Sequence, residues 1–221
     1  MQFTRSPLVR QQSRDLRPEP IVFVVDDDVS IRESLELLIH SAGWCAETFS
    51  SAAAFLARPR ADGPSCLVLD VSLPDLNGLE LQQRIANDRF GLPIIFITSY
   101  GDVPMTVRAM KAGAVEFLTK PFDDAALLSA IAGAIEQSRT TLGHEAELRE
   151  VRQRYKSLSP REREVMALVV SGMLNKQVGG ELRISEITVK AHRGQVMRKM
   201  GAGSLADLVT MAARLQITSP G

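Results

Sequence analysis

Three consecutive acidic residues, Asp26, Asp27 and Asp28, follow the apolar run IVFVV (21–25). A fourth, Asp70, closes the run CLVLD (66–70). Thr98 closes PIIFIT (93–98), and Lys120 follows VEFLT (115–119), directly before Pro121. Acidic groups brought to one place repel one another, and a divalent cation relieves that repulsion. A few hard oxygen ligands suit Mg2+, which keeps several waters. A metal of that kind neutralises an incoming phosphoryl group and orients in-line attack by a carboxylate. Asp70 is the best-placed nucleophile, because it emerges from a buried run into the loop VSLPDLNG, and an aspartyl phosphate is a known covalent solution. Lys120 supplies a cation to the phosphoryl oxygens, and Thr98 offers a hydroxyl. An isolated acidic run usually marks a solvated loop. Here the order of acidic pair, Asp, Thr and Lys-Pro, each at the end of an apolar run, argues for a site.

The elements that must position these residues alternate. Short apolar runs rich in β-branched residues predict buried strands at 21–25, 66–71, 93–98 and 115–119, with a weaker one at 45–49. Between them lie helical patterns. VSIRESLELLIHSAG carries apolar residues at 31, 35, 38 and 39 and stops at Gly43. Further helices are predicted at 51–57, 77–88, 103–112 and 123–138. Five β-α units imply a parallel sheet covered on both faces. In such sheets function gathers beyond the carboxyl ends of the strands, which is where all the residues above fall.

The remaining chain is different. Residues 1–18 are polar, Arg-rich and aperiodic, and read as a disordered tail. Residues 139–156 are charged and read as a helical linker. A thin apolar line from Leu128 through Ile131, Ile135, Leu142, Leu148 and Val151 to Tyr155, interrupted by Gly143, leaves self-association and a solvated interdomain helix both open. From 157 to 221 the pattern is helical only, with segments at 160–171, 175–182, 186–199 and 204–215. Ser159-Pro160 with Glu162 forms a capping box. In the second and third segments, Val178 and Leu182 bury one face, and Ile187, Val189, Val196 and Met200 another. Thr188, Lys190, His192, Arg193 and Lys199 then point outward, as a helix entering a DNA major groove requires. Phosphate contacts fall to Lys176, Lys199 and Thr188, and base edges to Lys190 and its neighbours.

Charge agrees with two jobs. The net charge is zero, yet residues 19–138 carry 8 Lys/Arg and 17 Asp/Glu, while 157–221 carry 9 and 5. A basic half suits nucleic-acid phosphates. The 221 residues, 45% hydrophobic and 24% charged, have room for two domains. No apolar run reaches the ~20 residues of a membrane span, and the N-terminus lacks a secretory apolar core. Cys45 and Cys66 lack metal-ligand spacing and read as buried thiols of a reducing, cytoplasmic protein.

Residues 20–136 resemble a response-regulator receiver domain. The segments VVDDD, LDVSLPDLNGLEL, FITSYGD and MKAGAVEFLTKPF carry the resemblance in order and spacing, and GDVPMTVRAMKAGAVEFLTKPF is similar to the FixJ branch. Residues 157–215 resemble the LuxR/NarL-type helix-turn-helix, through LSPREREVMALVVSGMLNKQV and ISEITVKAHRGQVMRKMGAGSLADLV. The resemblance implies a flavodoxin-like, doubly wound, five-stranded parallel α/β domain (19–138). It also implies an all-α helix-turn-helix domain (157–221), joined to the first by the helical linker. Asp70 would accept phosphate from a sensor histidine kinase. Asp27, Asp70 and the Ser72 carbonyl would bind Mg2+ directly, with Asp26 acting through water. Thr98 and Lys120 would hold the phosphoryl group, Phe117 would be the switch aromatic, and Lys120–Pro121 would be cis. Ser72 and Tyr100 would set the phosphate lifetime, in a direction the sequence leaves open.

In the helical half, Glu162, Gly172, Asn175, Lys176, Thr188, Val189, Lys190 and His192 stand at motif positions, with Asn175 and Arg193 among the DNA-binding set and His192 structural or backbone-contacting. Gly179-Gly180 departs from the usual Ala and helix former, and predicts a soft scaffold helix. The last helix carries the stripe Leu205, Leu208, Val209, Ala212 and Leu215, a dimer face in relatives. The implied partners are the kinase, promoter DNA, a second copy on phosphorylation and, as a further candidate, RNA polymerase; the implied chemistry is limited to self-phosphotransfer and slow autodephosphorylation. Two rival readings remain: a Mg2+-dependent phosphatase, disfavoured by the absence of a cap insertion, and a helical half that binds protein instead of DNA.

Overall fold

The computed structural model describes residues 18–88 and 91–217. The expected tail of residues 1–18 lies, Pro18 excepted, outside them. The chain divides into two compact units at Leu142/Gly143.

The first unit alternates β1 (Ile21–Val25), α1 (Val29–Ser41), β2 (Cys45–Phe49), α2 (Ala52–Ala57), β3 (Ser65–Asp70), α3 (Gly78–Asp88), β4 (Ile94–Thr98), α4 (Val103–Lys111), β5 (Glu116–Thr119) and α5 (Asp124–Lys156). The five strands form one parallel sheet in the order β2-β1-β3-β4-β5. Successive side chains of a strand face opposite ways, so each inner strand feeds two cores. Phe23, Val25, Leu67, Leu69 and Phe96 pack with Phe55 of α2, Leu81 and Ile85 of α3 and Ala109 of α4. Val22, Val24, Cys66, Val68, Ile95 and Ile97 pack with Leu35 and Ile39 of α1 and Leu127, Ile131 and Ile135 of α5. This double burial explains why β1, β3 and β4 read as continuous apolar runs. The edge strands β2 and β5 are less buried, which explains the weak signal at 45–49.

That edge position corrects one expectation. Cys66 is buried in β3, but Cys45 is exposed, because it begins an edge strand. Burial in an apolar core pushes the Cys66 thiol up to about 12.

Helix α5 runs 33 residues without a break, through Gly143, where an added Cβ would meet nothing. The apolar line seen in sequence is two stripes: Ile131 and Ile135 serve the second core, whereas Val151 and Tyr155 serve the core of the second unit. Ser138 Oγ accepts the buried Ser65 N–H at 3.0 Å, pinning α5 to the start of β3.

The second unit comprises the end of α5 with α6 (Pro160–Val170), α7 (Asn175–Leu182), α8 (Glu186–Met200) and α9 (Leu205–Arg214). Val165, Met166, Leu168, Val169, Val178, Val189, Val196, Met200, Leu208 and Ala212 form its core. The expected capping box at Ser159 and Glu162 is present. Two expectations change here. Ile187 does not pack inward but is 80% exposed. On α9 only Leu208 and Ala212 of the predicted stripe are buried, and Leu205 and Val209 are exposed.

Candidate functional site

The carboxyl ends of β1, β3, β4 and β5 assemble the first candidate site. Asp26 follows β1, is fully buried, and accepts the Asp28 N–H on Oδ1 at 2.9 Å. Asp70 ends β3 and accepts the Ser72 N–H on Oδ1 at 3.1 Å. Lys120, after β5, donates its ammonium to Asp26 Oδ2 at 2.7 Å and to Asp70 Oδ2 at 3.0 Å. Its own N–H bonds the Thr98 carbonyl at 2.7 Å, which ties the end of β5 to β4. Lys120–Pro121 is cis.

One carboxylate oxygen each from Asp26, Asp27 and Asp70 lies within 4.8 Å of the others, and Asp27 is exposed. Asp28 takes no part in that cluster: its side chain caps α1 through the Ser30 N–H. Burial pushes the Asp26 carboxyl above its ordinary value, and the hydrogen bond from Lys120 opposes this. Burial disfavours the Lys120 charge, but the bonds to Asp26 and Asp70 outweigh it and hold the ammonium above its ordinary value. Three carboxylates face one ammonium. That donor set of hard oxygens, under-neutralised and partly open to solvent, fits Mg2+.

The loop after Asp70 turns tightly. Gly78 N–H bonds the Val71 carbonyl at 2.9 Å, and a Cβ at Gly78 would lie 2.7 Å from the Asp70 carbonyl oxygen. Thr98 is buried, and its hydroxyl accepts the Tyr100 N–H at 3.2 Å. Phe117 is half-buried, with its ring 6.0 Å from that of Phe96.

Sequence reasoning missed two neighbours. Arg32 of α1 donates to the Asp26 carbonyl at 2.8 Å. Asp75 accepts the Ala52 and Ala53 N–H groups at the start of α2, and the Ala53 bond holds its carboxyl below the ordinary range. The only signal for Arg32 was a cation one turn into the helix that follows the acidic run. Asp75 caps a helix more than twenty residues away, so no local pattern reveals it.

The second site is the pair α7 and α8. Arg183, in the left-handed region (φ 54), ends α7. Ser185 caps α8 by accepting the Thr188 N–H at 3.1 Å, and the two hydroxyls lie 2.8 Å apart. Gly179 is buried, and a Cβ there would lie 2.8 Å from the Ile184 carbonyl oxygen. Gly179 is therefore a close-approach position that lets the turn fold back onto α7, which corrects its reading as a softening residue. Gly180 has open space and stays a helix-weakening residue.

The predicted DNA-contacting residues separate. Lys176 and Lys190 are exposed, and Lys190 keeps only a solvent-exposed pair with Glu186 at 3.2 Å. Arg193 donates to Asn175 Oδ1 at 3.2 Å, joining α8 to α7. His192 and Thr188 are half-buried. Lys199, expected on DNA phosphate, pairs with the buried Glu162 at 2.6 Å. A cation beside a buried carboxylate is held there by that charge.

Residues 22–132 match the response regulator receiver domain, and residues 156–212 match the bacterial regulatory proteins of the luxR family. Nodulation protein W of Bradyrhizobium diazoefficiens is 50% identical over 199 residues, covering 90% of this chain and 88% of that protein. The chain belongs to the response-regulator family. The transcriptional regulatory protein FixJ of the same organism is 42% identical over 193 residues, covering 87% of this chain and 94% of FixJ. The solved structure of response regulator StyR superposes with a TM-score of 0.79 at 46% identity, covering 89% of this chain and all of that one. As a two-component response regulator, the chain pairs a receiver with a LuxR-type DNA-binding domain and regulates transcription. Among the described residues no helix is long and apolar enough to cross a membrane.

Proposed function

We propose that this response regulator is phosphorylated on Asp70 by a partner histidine kinase and then dimerises on promoter DNA. The observation that carries the reading is the pair of hydrogen bonds that the Lys120 ammonium donates, one to Asp26 and one to Asp70. It gathers the ends of three strands around one carboxylate at the lip of the sheet. Asp27, Asp70 and the Ser72 carbonyl would hold Mg2+, with Asp26 acting through water. When bound, the metal supplies charge neutralisation for the phosphoryl group. An Asp70 carboxylate oxygen attacks phosphorus in line with the leaving group, whose bond to phosphorus breaks as the new P–O bond forms. Lys120 then donates an ammonium N–H hydrogen bond to a phosphoryl oxygen, and Thr98 supplies its hydroxyl.

The output is a population shift. Phosphate on Asp70 favours a state in which Thr98 turns from the Tyr100 N–H toward the phosphoryl group and Phe117 becomes fully buried. Helix α4 exposes Val103, Val107 and Met110 at helical spacing, an apolar patch that suits a second copy. Residues 19–138 act as the receiver and 157–221, together with the end of α5 from Gly143, as the DNA-binding domain, with α8 entering the major groove and RNA polymerase a further contact of the assembled dimer. The test is uptake of label from acetyl phosphate with Mg2+, together with promoter binding before and after. Wild type takes up label and binds more tightly afterwards. Normal labelling of Asp70→Asn would refute the acceptor assignment.

A further inference from the structure

The outward face of α8 is not where its polar motif residues lie. Val189, Val196 and Met200 are its buried residues. At about 100° per residue, the direction opposite them falls on Ile187, Ala191, Gly194 and Arg198, all exposed. Lys190 and Gln195, also exposed, flank that face, whereas Thr188, His192, Arg193 and Lys199 sit on its sides, half-buried. Ile187 is the one large exposed hydrophobic residue on α8, at 80% exposure, and stands in the first turn, directly after the Ser185 cap.

An exposed β-branched side chain gains free energy when a partner surface covers it. Lys190, one turn further along the same exposed side, suits a polyanion over an apolar protein face. Recognition helices of this class put the residues of their first turns on base edges. In the major groove the apolar feature of a base pair is the C5-methyl group of thymine. We infer that Ile187 is a specificity-determining residue, packing against the C5-methyl of one thymine in each half-site. The inference rests on α8 being the DNA-reading helix.

Full-length protein, with acetyl phosphate and Mg2+, selects sites from a random duplex library, and each thymine of the selected half-site is then replaced in turn by deoxyuridine, which lacks only the methyl. One replacement is expected to weaken wild-type binding about fourfold, the effect of one buried methyl-sized group. Ile187→Ala is expected to bind the thymine and uracil sites alike, with an unchanged melting temperature. Lys190→Ala is expected to weaken binding to both sites while keeping their ratio. Affinities unchanged within twofold at every uracil position overturn the inference without touching DNA binding, and need no variant that could misfold. Equal thymine preference in Ile187→Ala overturns it as well. Failure to select any duplex, with no salt-dependent binding, overturns the DNA-reading assignment and the inference with it.

Discussion

Lys199 of α8 holds its ammonium 2.6 Å from Glu162 Oε2, on a carboxylate of α6 that also accepts the Ser159 N–H at 2.7 Å. One carboxylate thus closes a helix cap and ties two helices. The Lys199 hydrogen bond, followed by that of Ser159, holds the Glu162 carboxyl below its ordinary value of 4.5. A depressed acid contributes stability that is complete above its unfolded value and is lost as pH falls through the folded one. The helical unit is therefore expected to lose stability below about pH 4.5, and Glu162→Gln to flatten that acid limb. At neutral pH Glu162→Ala is expected to lose about 1–3 kcal/mol. Hydrogen exchange at the α6 and α8 amides of the full chain reads both; unchanged protection in Glu162→Ala would sink the argument.

Lys120 offsets two carboxylates at once. Its replacement by Met leaves Asp26 and Asp70 facing each other, one of them fully buried. Lys120→Met is expected to destabilise the receiver by about 2–4 kcal/mol, between the surface and buried limits for a broken pair. Added Mg2+ is expected to restore part of that loss and to raise the urea midpoint more in Lys120→Met than in wild type, since the divalent ion replaces the missing charge. Equal Mg2+ responses would contradict the assignment of the acidic cluster.

Adjacent glycines of α7 are expected to respond with opposite signs. Gly180 faces open space, so Gly180→Ala gains about 0.5–1 kcal/mol of helix propensity. Gly179→Ala forces a Cβ against the Ile184 carbonyl oxygen, and is expected to be destabilising by about 1 kcal/mol after the propensity gain. Chemical denaturation of the two variants side by side is decisive, and stabilisation by Gly179→Ala would show that the turn relaxes freely.

Salt dependence separates three lysines of the helical unit, Lys176 and Lys199 expected on phosphate and Lys190 on base edges. Lys176→Ala and Lys190→Ala are each expected to reduce the slope of log affinity against log salt by about 0.9, one released counterion apiece. Lys199→Ala is expected to leave the slope nearly unchanged and to lower stability, because Glu162 already neutralises it. Fluorescence anisotropy with a promoter duplex across a salt series tests all three.

The alternation of apolar runs and helical stripes was enough to find every element and to place Asp26, Asp70, Thr98 and Lys120 on one rim, because burial on both sheet faces writes itself into local composition. Strand ends are local features, so the site residues inherited that legibility. Other features depend on partners distant in sequence. Asp75 caps α2, Arg32 reaches the Asp26 backbone, and Lys199 pairs with the buried Glu162 of another helix. The same holds for Ile187, which the apolar pattern assigned inward and the packing of Val189, Val196 and Met200 leaves outward. Periodicity states which residues share a face. Which neighbour covers that face, and which charges meet across it, is decided only when the elements pack.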